Sequence, residues 1–176
     1  SWTNGAIATL LALNIKKGDE VIVPAMTFVA TANVVEIVGA KPVFVDCDPE
    51  TLLIDNEKIL KAINKKTKAI ILVHLYGNMF DVKKLKKSLL RKKSRVKIIE
   101  DAAHSFESKF NGKKVGSFSD VSIFSFYATK NITCAEGGAI ITNNKKLYNL
   151  ISQTRSHGLS KNFTQRFYSK NYNHWD

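Results

Sequence analysis

Short runs of apolar residues, rich in valine and isoleucine, recur along the chain and alternate with stretches in which apolar residues stand three and four positions apart. The short runs predict strands, several of them buried on both faces, at 20–24, 42–46, 68–74, 96–101, 121–126 and 138–142. The spaced stretches predict helices at 6–14, 28–38, 56–63, 81–93 and 144–157. This alternation predicts an α/β fold of three layers, a sheet with helices on both faces, in which polar chemistry collects beyond the carboxyl ends of the strands.

Cap and turn residues agree with these boundaries. Asp55 is placed to cap the helix that follows it, Gly39 and Gly158 suit left-handed helix ends, and the dipeptide at 111–112, Asn-Gly, fits a tight turn. We treat residues 1–176 as one domain. Both ends look cut rather than finished, because the chain opens on a turn before a helix and stops without a terminating element, so we expect a piece of a larger protein.

The composition is that of an ordinary soluble globular domain, with 44% hydrophobic and 24% charged residues. No apolar run approaches the roughly 20 residues that span a bilayer, and the first residues lack the zones of a secretory signal. We therefore expect a cytoplasmic protein that does not bind membranes. Cys47 and Cys134 have no metal-ligand spacing, so we expect reduced thiols and no metal site.

The net charge of +12 brings nucleic acid into consideration, because nine of the 27 cations fall within residues 83–97. Val82, Leu85, Leu89 and Leu90 recur there at helical spacing, which predicts an amphipathic surface helix with its lysines turned outward. Only four of the cations are arginine, the better reader of phosphate and base edges. A solvated helix face is favoured, and a basic nucleic-acid-binding module remains the alternative from another class.

Three predicted strand ends carry polar groups that folding alone does not require together: His74, the pair Glu100 and Asp101, and Ser125 leading to Lys130. A lysine amine at the end of a buried strand suits covalent chemistry on a carbonyl, although most lysines are solvated surface residues. Strand alternation puts Glu100 and Asp101 on opposite faces, so they are not a paired acid and base. A carboxylate here either caps the following turn, the more frequent role from spacing alone, or holds a proton on a ligand nitrogen.

The start of the first predicted helix is a fourth candidate, because Asn4, Gly5 and Ala6 directly precede an apolar helical run. Free backbone amides and the helix dipole would favour a bound phosphate there, unless Gly5 is only a turn residue. His104 is also a candidate catalytic residue. A lone histidine beside a turn is more often packed and hydrogen-bonded than catalytic, so its position alone does not assign one.

Five strings stand out when they are considered together: 21–33 (VIVPAMTFVATAN), 39–46 (GAKPVFVD), 73–77 (VHLYG), 100–104 (EDAAH) and 124–131 (FSFYATKN). In order and spacing they resemble those of the pyridoxal-phosphate-dependent nucleotide-sugar aminotransferases of the DegT/DnrJ/EryC1/StrS family. The resemblance covers nearly the whole chain. It implies the large domain of the fold-type I transferases that use pyridoxal 5'-phosphate.

The resemblance also implies roles for individual residues. Lys130 fills the position of the lysine that forms the Schiff base with the cofactor, and Asp101 would sit opposite the pyridine nitrogen and keep it protonated. Phe28 matches the aromatic residue that stacks on the cofactor ring. His104 stands where the family places a polar side chain, often glutamine, near the phenolic oxygen of the ring.

The phosphate grip is implied at Ser125 together with the backbone of Gly5 and Ala6. The family commonly has a threonine where this chain has Ala6, so one phosphate hydroxyl is expected to be missing.

The reaction implied by the resemblance is transfer of an amino group, from glutamate, to a keto group of a sugar linked to a nucleotide diphosphate, for glycan or lipid decoration. The string 131–138 (NITCAEGG) looks most like members that aminate the C4 position. The family builds its active site between two subunits, so we expect a homodimer, and an isolated piece is expected to lack part of the site. Within the same fold the alternative is a sugar dehydratase, in which histidine typically replaces the lysine, and Lys130 speaks against it.

Overall fold

The computed structural model describes residues 1–159. Its strands are β1 (Glu20–Pro24), β2 (Lys41–Val45), β3 (Thr67–Val73), β4 (Lys97–Asp101), β5 (Lys109–Phe110), β6 (Lys113–Lys114), β7 (Val121–Ser125) and β8 (Gly138–Ile141). Its α-helices are α1 (Trp2–Ala12), α2 (Ala30–Ile37), α3 (Asn56–Ala62), α4 (Val82–Arg91) and α5 (Lys145–Arg155). The expected cut at the carboxyl end falls on residues outside the described range.

Six strands form one sheet in the order β2-β1-β3-β4-β7-β8, and all six coincide with predicted strands to within one residue at each end. The first five run parallel, while β8 pairs antiparallel with β7. The remaining strands, β5 and β6, make a small antiparallel hairpin. Its turn at Asn111 and Gly112 was predicted, and both residues have positive φ. Its two strands were not predicted, because a strand of two residues is too short to show a pattern in the sequence.

The direction of each crossover places the helices on both faces of the sheet. The chain steps one way from β1 to β2, then the opposite way to β3 and on to β4. Because such crossovers are right-handed, α2 lies on one face and α3 and α4 lie on the other. The first face also carries α1, which contacts both α2 and α5. The predicted three-layer α/β architecture is confirmed.

The core lies around the central strands, which are covered on both sides. All five residues of β7 are buried, as are six of the seven in β3. Side chains such as Ile70, Ile99 and Ile123 are inaccessible to solvent or nearly so. Each side chain of this kind stabilises the fold by about 1.5–3 kcal/mol relative to an exposed position. The core therefore fixes where the carboxyl ends of β3, β4 and β7 lie.

Helix α1 begins one turn earlier than the sequence predicts. Its N-cap is Ser1, whose hydroxyl accepts a hydrogen bond from the Asn4 N–H at 3.4 Å. Gly5 lies inside the helix, and its N–H donates to the Ser1 carbonyl at 3.1 Å. A Cβ on Gly5 would stand 3.0 Å from Ile123 Cγ2, so the glycine permits close packing of the helix on the sheet and does not mark its start.

The other helix signals agree with the structure, apart from one leucine. Asp55 caps α3 by accepting the Lys58 N–H at 2.8 Å, and Gly39 and Gly158 have left-handed φ values of 80° and 78°. In α4 the buried residues are Val82, Leu85 and Leu89, whereas Leu90 is 67% exposed and is not part of the apolar stripe. Across residues 1–159 we find no helix with the length and apolar character needed to cross a bilayer.

Candidate active site

A cavity of about 490 Å³ opens at the carboxyl ends of β3, β4 and β7. Parallel strands bring their carboxyl ends to the same edge of a sheet, so residues distant in sequence meet there. The lining residues are Ser1, Trp2, Thr27, Phe28, Thr31, Val73, His74, Leu75, Asp101, Ala103, His104, Ser125, Tyr127, Thr129, Lys130 and Glu136.

Five of the seven residues predicted for the site lie together in this cavity: Phe28, Asp101, His104, Ser125 and Lys130. Gly5 and Ala6 are not among its lining residues.

The prediction that Gly5 and Ala6 offer free amides at a helix start is wrong. The Gly5 N–H is already donated within the helix, and Ala6 is buried there. The helix start that borders the cavity is formed by Ser1 and Trp2. The sequence did not point to either residue. Trp2 is 6% exposed, and among residues 1–159 its indole Nε1 has no hydrogen-bond partner.

Asp101 ends β4 and is 6% exposed. Its Oδ1 accepts the Ala103 N–H at 2.9 Å, so the turn-capping role weighed from the sequence is present. Within residues 1–159, no donor reaches the second oxygen, Oδ2. Burial raises the pKa of Asp101 to about 6, against the opposing effect of the Ala103 hydrogen bond. The site therefore contains a buried carboxyl group with one oxygen free for a ligand.

Lys130 lies in the loop between β7 and β8, and its Nζ is 3.0 Å from Nε2 of His104. The other ring nitrogen of His104, Nδ1, accepts the Tyr76 N–H at 3.2 Å, and the Tyr76 ring stacks on the imidazole with an interplanar angle of 5°. Burial lowers the pKa of His104. The amine is thus held beside a neutral imidazole whose orientation is fixed.

His74 and Glu100 form a buried pair that the sequence did not reveal. His74 Nε2 is 2.7 Å from Glu100 Oε2, and His74 Nδ1 accepts the Phe80 N–H at 3.2 Å, so Nε2 carries the proton and donates it. The second oxygen of Glu100 accepts from the Gly116 N–H and the Ser122 hydroxyl, each at 2.9 Å. A signal did exist, since both residues are ionisable and stand at the ends of adjacent buried strands.

Burial raises the pKa of Glu100, but the hydrogen bond from His74 and further hydrogen bonds, including that from Gly116, outweigh this effect and leave the pKa below its ordinary value. Glu100 does not line the cavity, whereas its neighbour Asp101 does, as the predicted alternation requires. Both oxygens of the charged Glu100 accept hydrogen bonds within the fold, whereas Asp101 faces the cavity.

Phe28 and Ser125 lie on two other sides of the cavity. Phe28 is 74% exposed, an unusual state for a large aromatic side chain, and it stands just before α2. Ser125 is buried at the end of β7, and its hydroxyl accepts the Tyr127 N–H at a long 3.4 Å. The exposed ring offers a stacking surface, and the serine offers a hydroxyl near the start of α1.

Proteins similar to this chain in sequence and fold include aminotransferases. The pattern of the DegT/DnrJ/EryC1/StrS aminotransferase family matches residues 1–174. GDP-perosamine synthase of Escherichia coli O157:H7 is 45% identical over 161 residues, which are 90% of this chain and 44% of that protein.

Two solved structures superimpose closely. DesV of S. venezuelae, in complex with a ketimine intermediate, has a TM-score of 0.86 at 34% identity, over 93% of this chain and 44% of its own. NtdA of Bacillus subtilis, with bound cofactor PMP, has a TM-score of 0.79 at 39% identity, over 87% of this chain and 34% of its own. The chain spans less than half the length of these relatives. It belongs to the DegT/DnrJ/EryC1/StrS aminotransferase family and has the fold-type I architecture of its members.

Proposed function

We propose that the protein containing this chain uses pyridoxal 5'-phosphate to transfer an amino group from glutamate to the C4 keto group of a sugar linked to a nucleotide diphosphate. The observation that carries the proposal is the meeting of Lys130 and Asp101 in one cavity at the carboxyl edge of the sheet. Family membership and the ligands held by DesV and NtdA support the choice of cofactor.

The residues present fit a phosphorylated pyridine ring. A cavity of about 490 Å³ is in the range of cofactor sites. Asp101 is 6% exposed and has one carboxyl oxygen without a donor among residues 1–159, and a protonated ring nitrogen is a donor that also carries the compensating charge. When bound, the cofactor supplies an aldehyde and a ring that accepts electrons.

Each side chain then has a separate task. The charge of Asp101 keeps the ring nitrogen protonated, and the exposed ring of Phe28 covers one face of the cofactor. The hydroxyl of Ser125 and the start of α1 at Ser1 and Trp2 hold the phosphate, in place of Gly5 and Ala6.

Lys130 has two tasks in this proposal. Its amine would hold the aldehyde carbon of the cofactor, with the carbonyl oxygen leaving as water, and once freed by the amino donor it would carry a proton between carbon atoms. Both tasks need an uncharged amine close to the ring, and the loop after β7 places Nζ inside the cavity.

We further propose a homodimer and a cytoplasmic location. Phe28 at the cavity and Tyr76, which stacks on His104, are 74% and 76% exposed, which suits a second subunit closing over them. A sugar dehydratase of the same fold is less well supported, because Lys130 occupies the position that such enzymes fill with histidine.

The test is the absorbance spectrum of the purified protein after addition of pyridoxal phosphate, before and after glutamate. We expect a visible band that glutamate bleaches, and loss of the band in Lys130→Ala because the reacting amine is gone. Lys113→Ala, at an exposed hairpin position, is the matched control and should behave as the unchanged protein. A wild-type protein without the band, or a Lys130→Ala protein that keeps it, would overturn the proposal.

A further inference from the structure

We propose that His104 donates a hydrogen bond from its Nε2–H to the amine of Lys130 in the cofactor-free protein, and that the backbone N–H of Tyr76 fixes the tautomer that makes this possible. The importance of the contact rests on the proposed role of Lys130. An amine accepts such a bond only through its lone pair, which means in the uncharged form that attacks a carbonyl.

The first step concerns which nitrogen of His104 carries the proton. A neutral imidazole has one N–H and one lone pair. Nδ1 accepts the Tyr76 N–H at 3.2 Å, so its lone pair is in use and the proton must be at Nε2. The Tyr76 ring lies parallel to the imidazole, with 5.8 Å between the two ring centroids.

The second step concerns the contact between Nε2 and Nζ, which are 3.0 Å apart. If Lys130 were an ammonium, two donors would face each other at this distance, with no acceptor between them. If the amine is uncharged, the same distance is an ordinary hydrogen bond. Switching His104 to the other tautomer would also remove the conflict, but it would leave the Tyr76 N–H without its acceptor.

Other titratable groups bear on the same amine. Asp101 and Glu136 line the cavity and favour a charged Lys130, while His74 and Tyr127 line it as well. The pyridine ring proposed for this site would pair with Asp101, and the charge of Asp101 would then no longer favour the ammonium form of Lys130. His104 is the group in direct contact with the amine in the cofactor-free protein.

The tautomer is tested directly by two-bond ¹H–¹⁵N correlation spectra of the ¹⁵N-histidine-labelled, cofactor-free protein at pH 7.5. We expect Nε2 of His104 to be protonated and Nδ1 to be unprotonated. In Lys130→Met, which keeps the bulk but removes the acceptor, the Nε2–H signal should move and exchange faster with solvent. A protonated Nδ1, or an Nε2–H signal that Lys130→Met leaves unchanged, would overturn the proposal.

The consequence for the amine is tested by trace acetylation of every lysine across a pH series, read by peptide mass spectrometry. Relative to Lys113, Lys130 should be labelled less at pH 7.5 in His104→Leu than in the wild type, because the variant lacks the N–H that the uncharged amine accepts. His104→Gln keeps an N–H donor and should restore most of the labelling. Equal profiles in the wild type and His104→Leu would refute the donor role.

These measurements need no cofactor, so they separate the two proposals. A protein that forms the visible band but shows the opposite tautomer keeps the proposed function and loses this inference. A protein with the expected tautomer but no band keeps the hydrogen bond and loses the proposed function.

Discussion

Asp101 illustrates how one residue can serve the site at the expense of the fold. Its carboxyl group is buried, one of its oxygens has no donor within residues 1–159, and burial raises its pKa to about 6. An unfolded chain gives the same group the ordinary value of 3.8. The folded protein therefore binds this proton more tightly, so the carboxyl group favours folding below pH 3.8 and loses that benefit as the pH rises through 6.

Replacing Asp101 by asparagine should consequently stabilise the cofactor-free protein at neutral pH. We expect Asp101→Asn to raise the free energy of unfolding at pH 7.5 by up to about 3 kcal/mol, because a difference of about two pKa units is removed. The gain should vanish near pH 4. Urea unfolding at several pH values measures it, and cofactor affinity should fall in the same variant.

Asp46→Asn is the matched control, since the Asp46 side chain is 77% exposed and pairs with Lys58 on the surface. It should change stability little at any pH. A gain in Asp101→Asn that stays constant between pH 4 and pH 8 would contradict the titration argument.

Most site residues were predicted from strings that resemble a family, and the contacts among them were not. Spacing alone left Asp101 between capping a turn and binding a ligand, and the structure shows one oxygen doing the first. The bond from Tyr76 to His104 joins residues 28 positions apart, and only the fold brings them together. Gly5 was misassigned because a glycine before an apolar run signals a helix start, whereas here it accommodates Ile123.

At the scale of elements, α4 shows which features of a helix local sequence signals determine and which depend on packing. Its capping residue Asp81 accepts the Lys84 N–H at 2.9 Å, and its buried residues face the core. Leu90 was predicted for that face and is exposed, because an apolar residue adjacent to Leu89 points about 100° away around the helix. Caps and periodicity thus predicted the helix and its extent, while the width of its buried stripe depended on the neighbouring elements.

The cap of α4 leads to a prediction at this scale. Asp81→Ala should lower the free energy of unfolding by about 1 kcal/mol, because a first-turn N–H loses its acceptor. Asp81→Asn keeps an acceptor oxygen and should lower it by less. Chemical denaturation measures both, and an equal loss in the two variants would show that the charge of Asp81, and not its hydrogen bond, supports the helix.

For the molecule as a whole, the dominant quantity is the net charge of +12. Within residues 83–97, the described ion pairs involve Lys97 alone, which contacts Asp120 at 2.9 Å. The remaining cations on α4 repel one another through solvent, and dissolved salt screens that repulsion.

Stability should therefore increase with ionic strength. We expect the melting temperature to be higher by a few degrees in 0.3 M sodium chloride than in 0.02 M, as for a gain of about 1 kcal/mol. Differential scanning calorimetry measures the change, and glucose at matched osmolality controls for effects that do not involve charge. A melting temperature that falls with salt would mean that attractive ion pairs outweigh the repulsion.

The sequence predicted all six strands of the main sheet because each is an apolar run bounded by turn residues. It did not predict the direction of β8, since its antiparallel pairing depends on the loop that carries Lys130. A short apolar run looks the same in either direction. The loop between β7 and β8 therefore determines both where Lys130 lies and the direction in which β8 runs.

The packing of α1 has a consequence for synthesis on the ribosome. This helix is made before three elements that it contacts, β7, β8 and α5, and Gly138 approaches the backbone of Ser1 so closely that a Cβ would stand 3.0 Å from its carbonyl carbon. At 5–20 residues per second, about 130 residues of translation occupy roughly 7 to 26 seconds before those partners emerge. During that interval the part of α1 that packs on them is uncovered, so the nascent chain exposes apolar surface of the kind that chaperones bind.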